Sequence, residues 1–301
     1  MPLPESFSEV AARFNALMKA VRGNSGAVNT DGEQRLLIDQ LRNALDRRAE
    51  ALAPSDTTFI AGTFAVENLL YEGRHSRVLK LRHRDLGTAY VLKTLTKDGV
   101  SSASQADLLL REARIGLDLH HPSLVGTSML LRLADGSPGL IQPWAGYSLR
   151  ERLEKEGETG LDIAKIMHDL LTALAALHDH GLVHGDVTPG NIILDPQRRI
   201  ARLADFGLTI EYGASWADLG LAEVGSPQYR APEQNAFSKA SAAMDLYGAG
   251  RVLLRMLGTA TQGQDTNLAQ FADHLCSFDP VNRPKTAREA LAKLSQIEAD
   301  E

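Results

Sequence analysis

Cysteine is almost absent from these 301 residues: Cys276 stands alone, which excludes a disulfide within the chain and fits a reducing compartment. Long apolar runs are missing too. None approaches the length of a membrane span, and Met1-Pro2-Leu3-Pro4-Glu5 lacks the basic-then-apolar opening of a secretory signal. The expected location is the cytoplasm, or the interior of a target cell into which the protein is delivered. Nor is there an excess of positive charge. With 32 Lys and Arg against 38 Asp and Glu the formal charge is −6, so no nucleic acid and no membrane is expected as a partner. Internal repeats and low-complexity tracts are absent. What remains is a soluble composition, 44% hydrophobic and 23% charged, in a chain long enough for one large domain or two lobes.

The hydrophobic period changes along the chain and divides it in three. Over residues 1–58, two capping boxes, Ser6-Phe7-Ser8-Glu9 and Thr30-Asp31-Gly32-Glu33, each precede an apolar stripe at helical spacing. The first stripe is Phe7, Val10, Phe14, Leu17 and Val21; the second is Leu37, Leu41, Leu45 and Leu52. Gly23-Asn24-Ser25-Gly26 separates them, giving a helical hairpin. Its stripes need burial, against the following domain, in self-association, or on a partner.

Over residues 59–142 the period becomes strand-like. Phe64–Leu70, Arg77–Arg82 and Ala89–Leu95 read as strands, the last two joined by an Asp85-Leu86-Gly87 turn. A helix over Ser102–His120 and strands near Met129–Leu133 and Leu140–Gln142 follow. Lys93 lies late in its strand and Glu112 on the next helix, where an ammonium could bind nucleotide phosphates with the carboxylate holding it.

Over residues 143–301 helical spacing returns, at Leu149–Leu153, Leu161–His180, Ala240–Leu257, Leu268–Phe278 and Ala287–Ile297. Between the second and third lies the stretch richest in chemistry, His184-Gly185-Asp186-Val187-Thr188-Pro189-Gly190-Asn191, followed by Asp205-Phe206-Gly207. An Asp with an Asn five residues on can set a hydroxyl-activating carboxylate beside a metal-binding amide. A second Asp after the next strand can reach the same metal. This layout suits phosphoryl transfer, in which a protein mainly positions groups and neutralises charge with magnesium.

From about Phe64 to Leu294 the sequence resembles a Hanks-type (eukaryotic-like) serine/threonine protein kinase. The likeness is carried by Val91-Leu92-Lys93, Arg111-Glu112-Ala113, His121-Pro122-Ser123-Leu124-Val125 and the hinge-like Gln142-Pro143-Trp144-Ala145-Gly146-Tyr147-Ser148-Leu149. His184–Asn191, Asp205-Phe206-Gly207, Gly225–Glu233, Asp245–Gly250 and Asp279–Pro284 continue it in order. The resemblance implies an α+β bilobal fold, a small antiparallel β lobe (59–142) and a helical lobe (143–301), behind the N-terminal hairpin. It implies ATP and Mg2+ as cofactors and a protein substrate. Asp186 would accept or orient the hydroxyl proton, Asn191 and Asp205 would hold metal, and Lys93, paired with Glu112, would engage phosphates. Gly73, Ser76, Val78, Ile141 and Ser148 would line the nucleotide site, with the backbone of Gln142 and Trp144 bonding the adenine edge. Asp245 would brace the catalytic loop, and Arg283 would pair with Glu233.

Four departures mark the chain. The phosphate-covering loop keeps only the middle of three glycines, at Tyr71, Gly73 and Ser76. Gly185 replaces the Arg that usually receives an activation-loop phosphate, so activity without that switch is expected. Thr188 stands where a Lys is usual in the catalytic set. The polar link Gly258–Asp265 replaces a helix that often docks substrates. Two rival readings follow: a pseudokinase scaffold, from the sparse glycine loop and Thr188, and a small-molecule phosphotransferase acting on aminoglycoside- or choline-like acceptors, from His-Gly-Asp itself. The platform Ser226-Pro227 and Tyr229 argues against the second. His178, His180 and His184 raise a zinc reading, against which His184 is expected to pack beside the magnesium motif and His178 to cap its helix. Cys276 is expected inside a helix.

Overall fold

The computed structural model describes residues 58–100, 102–157, 160–222, 224–258 and 266–299. The hairpin expected over 1–58 therefore lies, but for its last residue, outside the described residues, as does the link after Gly258. The chain divides into two compact units, Met1–Gly62 and Thr63–Glu301. In the first, the described residues include a short strand, β1 (Phe59–Ile60).

The second unit opens with β2 (Phe64–Glu72), β3 (Ser76–His83) and β4 (Ala89–Leu95), joined later by β5 (Met129–Arg132) and β6 (Pro138–Pro143). All pair antiparallel, in the order β2-β3-β4-β6-β5. Gly87 closes the expected β3–β4 turn at φ +67°, with its N–H donating to the His83 carbonyl, 2.8 Å. Between β4 and β5 run α1 (Lys97–Val100) and α2 (Ala103–Asp118). Leu109 and Ala113, one helical turn apart, pack with Leu95 and Leu140 of the sheet. That same face carries Glu112 inward, where it is 2% exposed.

The rest is mainly helical. β7 (Tyr147–Ser148) leads into α3 (Leu149–Glu156), α4 (Ile163–Asp179), β8 (Leu182–Val183), β9 (Ile192–Asp195), β10 (Ile200–Leu203) and β11 (Ile210–Glu211). Then come α5 (Ala242–Leu257), α6 (Thr266–Leu275) and α7 (Ala287–Ala299). Helix α4, apolar at nearly every inward position, lies at the centre of the core, with Leu170, Leu174 and Leu177 packed among Leu253 and Met256 of α5, Phe271 of α6 and Leu294 of α7. Two small sheets, β10-β9-β7 and β11-β8, complete it, and Leu124, from the segment after α2, bridges to Leu203 of β10. This is the bilobal architecture expected.

One boundary differs in a way that matters. Helix α6 stops at Leu275, so Cys276, expected within a helix, sits just past its end. Asp279 precedes Pro280 and caps a 3-10 turn by accepting from the Val281 N–H, which sets the chain's exit. Among the described residues no helix is long and apolar enough to cross a membrane.

Candidate active site

The catalytic loop leaves β8 and is held from beneath by one carboxylate. Asp245, buried in α5, accepts from the His184 N–H and the Gly185 N–H, both at 2.8 Å. His178 also reaches it, Nε2 to Oδ2 at 3.0 Å, so this ring braces Asp245 and does not cap its helix as expected. His184 Nε2 faces the Ala204 carbonyl at 3.1 Å, while the Asp186 N–H points to Nδ1 at 3.3 Å, so the ring links the catalytic loop to the residue before Asp205. Its edge meets Phe206, centroids 6.1 Å apart. His180 turns away to the Ala176 carbonyl, 2.8 Å. Three rings with three separate partners do not make a zinc site.

Asp186 is gripped on both oxygens. Oδ2 accepts from Asn191 Nδ2 at 3.1 Å, and Oδ1 from the Ser226 N–H at 2.9 Å. Asn191 Nδ2 also donates to the Asp186 carbonyl, 2.9 Å, which leaves the amide oxygen as the atom able to hold a cation. Sequence reasoning missed the Ser226 contact. It joins residues 40 apart, and only the fold brings them together.

Lys93 gathers the remaining charges. Its ammonium lies 2.9 Å from Glu112 and 2.7 Å from Asp205. Burial pushes the ammonium's pKa down, but the two carboxylates push harder, and it is held above its ordinary value. Burial acts in the same sense as the nearby Asp205 charge on Glu112, and together they lift it to about 7 against the pull of Lys93. Desolvation raises Asp205, yet Lys93 outweighs it and the carboxyl stays below its usual range. The result is a fixed cation held between a buried carboxylate, Glu112, and a half-buried one, Asp205.

Asn191 and Asp205 offer hard oxygen donors, which suit magnesium. Among the described residues no group of three or more His, Cys, Asp and Glu could hold a metal alone.

The other nucleotide-site residues are placed less uniformly. Gly73 donates its N–H to the Ser76 carbonyl at 2.9 Å, in a tight turn; a Cβ there would meet the Tyr71 hydroxyl at 2.5 Å. Val78 lies opposite Lys93 across β3 and β4. Ile141 and Gln142 are buried, Gln142 reaching the Val125 carbonyl at 3.4 Å. Trp144, whose backbone is expected with that of Gln142 at the adenine edge, donates its N–H to the Ala89 carbonyl at 3.2 Å. The β4–β6 ladder ends with Pro143 opposite Tyr90, and this bond lies one residue beyond it. The Ser148 hydroxyl caps α3, accepting from the Glu151 N–H at 3.2 Å. Thr188 is buried, and its carbonyl accepts from the Asn191 N–H at 3.0 Å.

Gly185 has a structural cause. Its φ is +79°, and a Cβ would lie 2.9 Å from Trp216 Cζ2 and 3.0 Å from the Leu208 carbonyl oxygen. The fully buried Trp216, its Nε1 donating to that carbonyl at 2.8 Å, leaves no room for a side chain. Farther on, Tyr229 and Arg230 donate backbone N–H groups to the Ser226 carbonyl, both at 2.9 Å, so the platform is a closed turn. Gln234 Nε2 donates to the Gly185 carbonyl at 2.8 Å. Arg283 and Glu233 form the expected fork, 2.6 and 2.9 Å.

The protein kinase domain family model matches residues 64–289, well over half of the sequence, and the chain belongs to that family. It is 28% identical over 246 residues to the serine/threonine-protein kinase pkn3 of Myxococcus xanthus, covering 78% of this chain and 44% of that one. It is 30% identical over 241 residues to the DNA damage-responsive serine/threonine-protein kinase RqkA of Deinococcus radiodurans, covering 78% and 35%. The chain thus spans less than half the length of these two relatives. The crystal structure of the Mycobacterium tuberculosis PknI kinase domain shares the fold, with a TM-score of 0.61 at 20% identity, over 81% of this chain and all of that one.

Proposed function

We propose that the chain transfers the γ-phosphoryl of ATP, with magnesium, to serine or threonine hydroxyls of proteins. The observation that carries this reading is the Asp186 carboxylate held between Asn191 and the Ser226 N–H. The proton acceptor is thereby fixed to the surface on which an acceptor peptide would lie. Magnesium-bound ATP supplies the phosphoryl group and neutralises charge on it. Lys93, kept cationic by Asp205 and Glu112, would hold phosphate oxygens; Asn191 and Asp205 would hold the metal. Asp186 orients the acceptor hydroxyl and takes its proton as the new bond to the γ-phosphorus forms and the bond from that phosphorus to the bridging oxygen breaks, releasing ADP.

The assembled Lys93–Glu112 pair favours an enzyme over a scaffold. The closed turn at Ser226 favours a polypeptide acceptor over a small molecule. Activity is independent of activation-loop phosphorylation, because Trp216 fills the place of a side chain at Gly185. Purified protein incubated with labelled ATP, magnesium and generic protein substrates tests the whole: label on protein serine or threonine supports it, and label only on aminoglycoside- or choline-like acceptors overturns it.

Two lesser parts of the reading rest on sequence. The amphipathic stripes of residues 1–58 serve as a docking or self-association arm, an idea that fails if deleting 1–55 alters neither oligomeric state, partner binding nor activity. The working compartment is reducing and cytoplasmic, in keeping with a single Cys276 whose thiol burial pushes up to about 11.

A further inference from the structure

Beside the Asp186 carboxylate lies a cavity of about 250 Å³ that the phosphoryl-transfer chemistry does not use. Four stretches build it: Arg150 and Glu154 of α3, Pro189 of the catalytic loop, the Ser226–Tyr229 turn, and Arg255 in the last turn of α5. Because Ser226 also donates to Asp186 at 2.9 Å, the cavity opens next to the position of the acceptor hydroxyl.

Its charge is one-sided. Arg150 lies across Gly190: a Cβ on that glycine would sit 2.3 Å from Arg150 Nη2, so the glycine makes room for the guanidinium. The Arg150 N–H is pinned to the Pro189 carbonyl at 3.0 Å. Arg251, one helical turn before Arg255, donates from Nε to the Gln228 carbonyl at 3.1 Å. Burial raises the Tyr229 hydroxyl's pKa, while the charges of Arg255, Arg150 and Arg251 pull it back, and two of these arginines, Arg150 and Arg255, line the cavity with it. Among the described residues lining the cavity, Glu154 alone is acidic. A chain of net charge −6 has gathered cations at this spot, and a local field of that sign selects anions.

We propose that this pocket selects acceptor polypeptides bearing an anionic side chain, Asp, Glu or a phosphorylated residue, close to the hydroxyl that is phosphorylated. The inference rests on the protein-kinase reading above and names its substrate class.

The test uses the full chain, labelled ATP, magnesium and peptides with one serine, in which each flanking position is in turn Ala, Asp, Lys or phosphoserine. At one or more positions Asp should exceed Lys in kcat/KM by about tenfold, since attraction to one charge adds to repulsion of the other. A further gain with phosphoserine assigns the anion to a previously phosphorylated substrate; equality with Asp assigns it to an acidic sequence. Arg150→Glu with Arg255→Glu should abolish or invert the Asp-to-Lys ratio, and Arg150→Gln with Arg255→Gln should flatten it. The ratio should also shrink as salt is raised. If Ala peptides are phosphorylated but Asp and Lys are used equally, or Lys is preferred, the inference is wrong and the kinase reading stands. If no peptide or protein accepts phosphoryl, both fall.

Discussion

Trp216 occupies the space that any side chain at residue 185 would need, its ring carbon 2.9 Å from where a Cβ would stand. The two residues are 31 apart in sequence and meet because β11 pairs with β8 and brings the following segment beneath the catalytic loop. Gly185, standing where the arginine is usual, is thus one half of a packed pair, and its other half is the Trp216 indole. Replacing Gly185 by Ala adds a positive-φ penalty of about 1–2 kcal/mol to this clash. Thermal unfolding should detect the loss, and Gly185→Arg should lose more. If Gly185→Arg were as stable as the parent and gained dependence on loop phosphorylation, the pairing with Trp216 would not be what excludes the switch.

The acid–base behaviour of Glu112 gives a second prediction. Its pKa is raised from 4.5 to about 7 in the folded protein, so between those values the folded state keeps a proton that the unfolded state releases. The stabilising contribution of this group is therefore full below about 4.5 and declines as pH rises through about 7. Compared with Glu112→Gln, which does not titrate, the parent should lose relative unfolding free energy between pH 5 and pH 8. A relative gain with rising pH would contradict the assignment. Activity should run the other way, increasing as Glu112 ionises and secures Lys93.

Glu233 and Arg283 supply a third. The Arg283 side chain is fully buried and gives Nη1 and Nη2 to Glu233, with further bonds to the carbonyls of Ala243, Ser277 and Phe278. Glu233→Ala strips the charge partner and leaves a buried cation, at a cost of about 3 kcal/mol. Denaturant unfolding measures this directly. A change under about 0.5 kcal/mol, the ordinary range for surface substitutions, would mean the fork contributes little.

What was legible in the sequence was whatever depends on local order. β4 carries Lys93 where strand alternation placed it, and α2 turns Glu112 inward on the same face as Leu109 and Ala113. Asp245 and Arg283 met their expected partners because those roles follow from motifs read in order. What was not legible depends on contacts between distant segments. No periodicity ties Ser226 to Asp186 or Trp216 to Gly185. That the Trp144 N–H meets the Ala89 carbonyl was not legible either, because the register of the β4–β6 ladder is not specified by the hinge residues alone. His178 was misread because its partner lies 67 residues on, on another helix.

The central claim is that Asp186 serves a protein hydroxyl. The most direct test is transfer of labelled γ-phosphoryl from ATP to protein by the parent chain and by Asp186→Asn, both checked for native unfolding behaviour. The account predicts label on serine or threonine with the parent and a fall of about 10²–10³ with the variant. Transfer by Asp186→Asn within a few-fold of a working parent, or none by a folded parent, would contradict it.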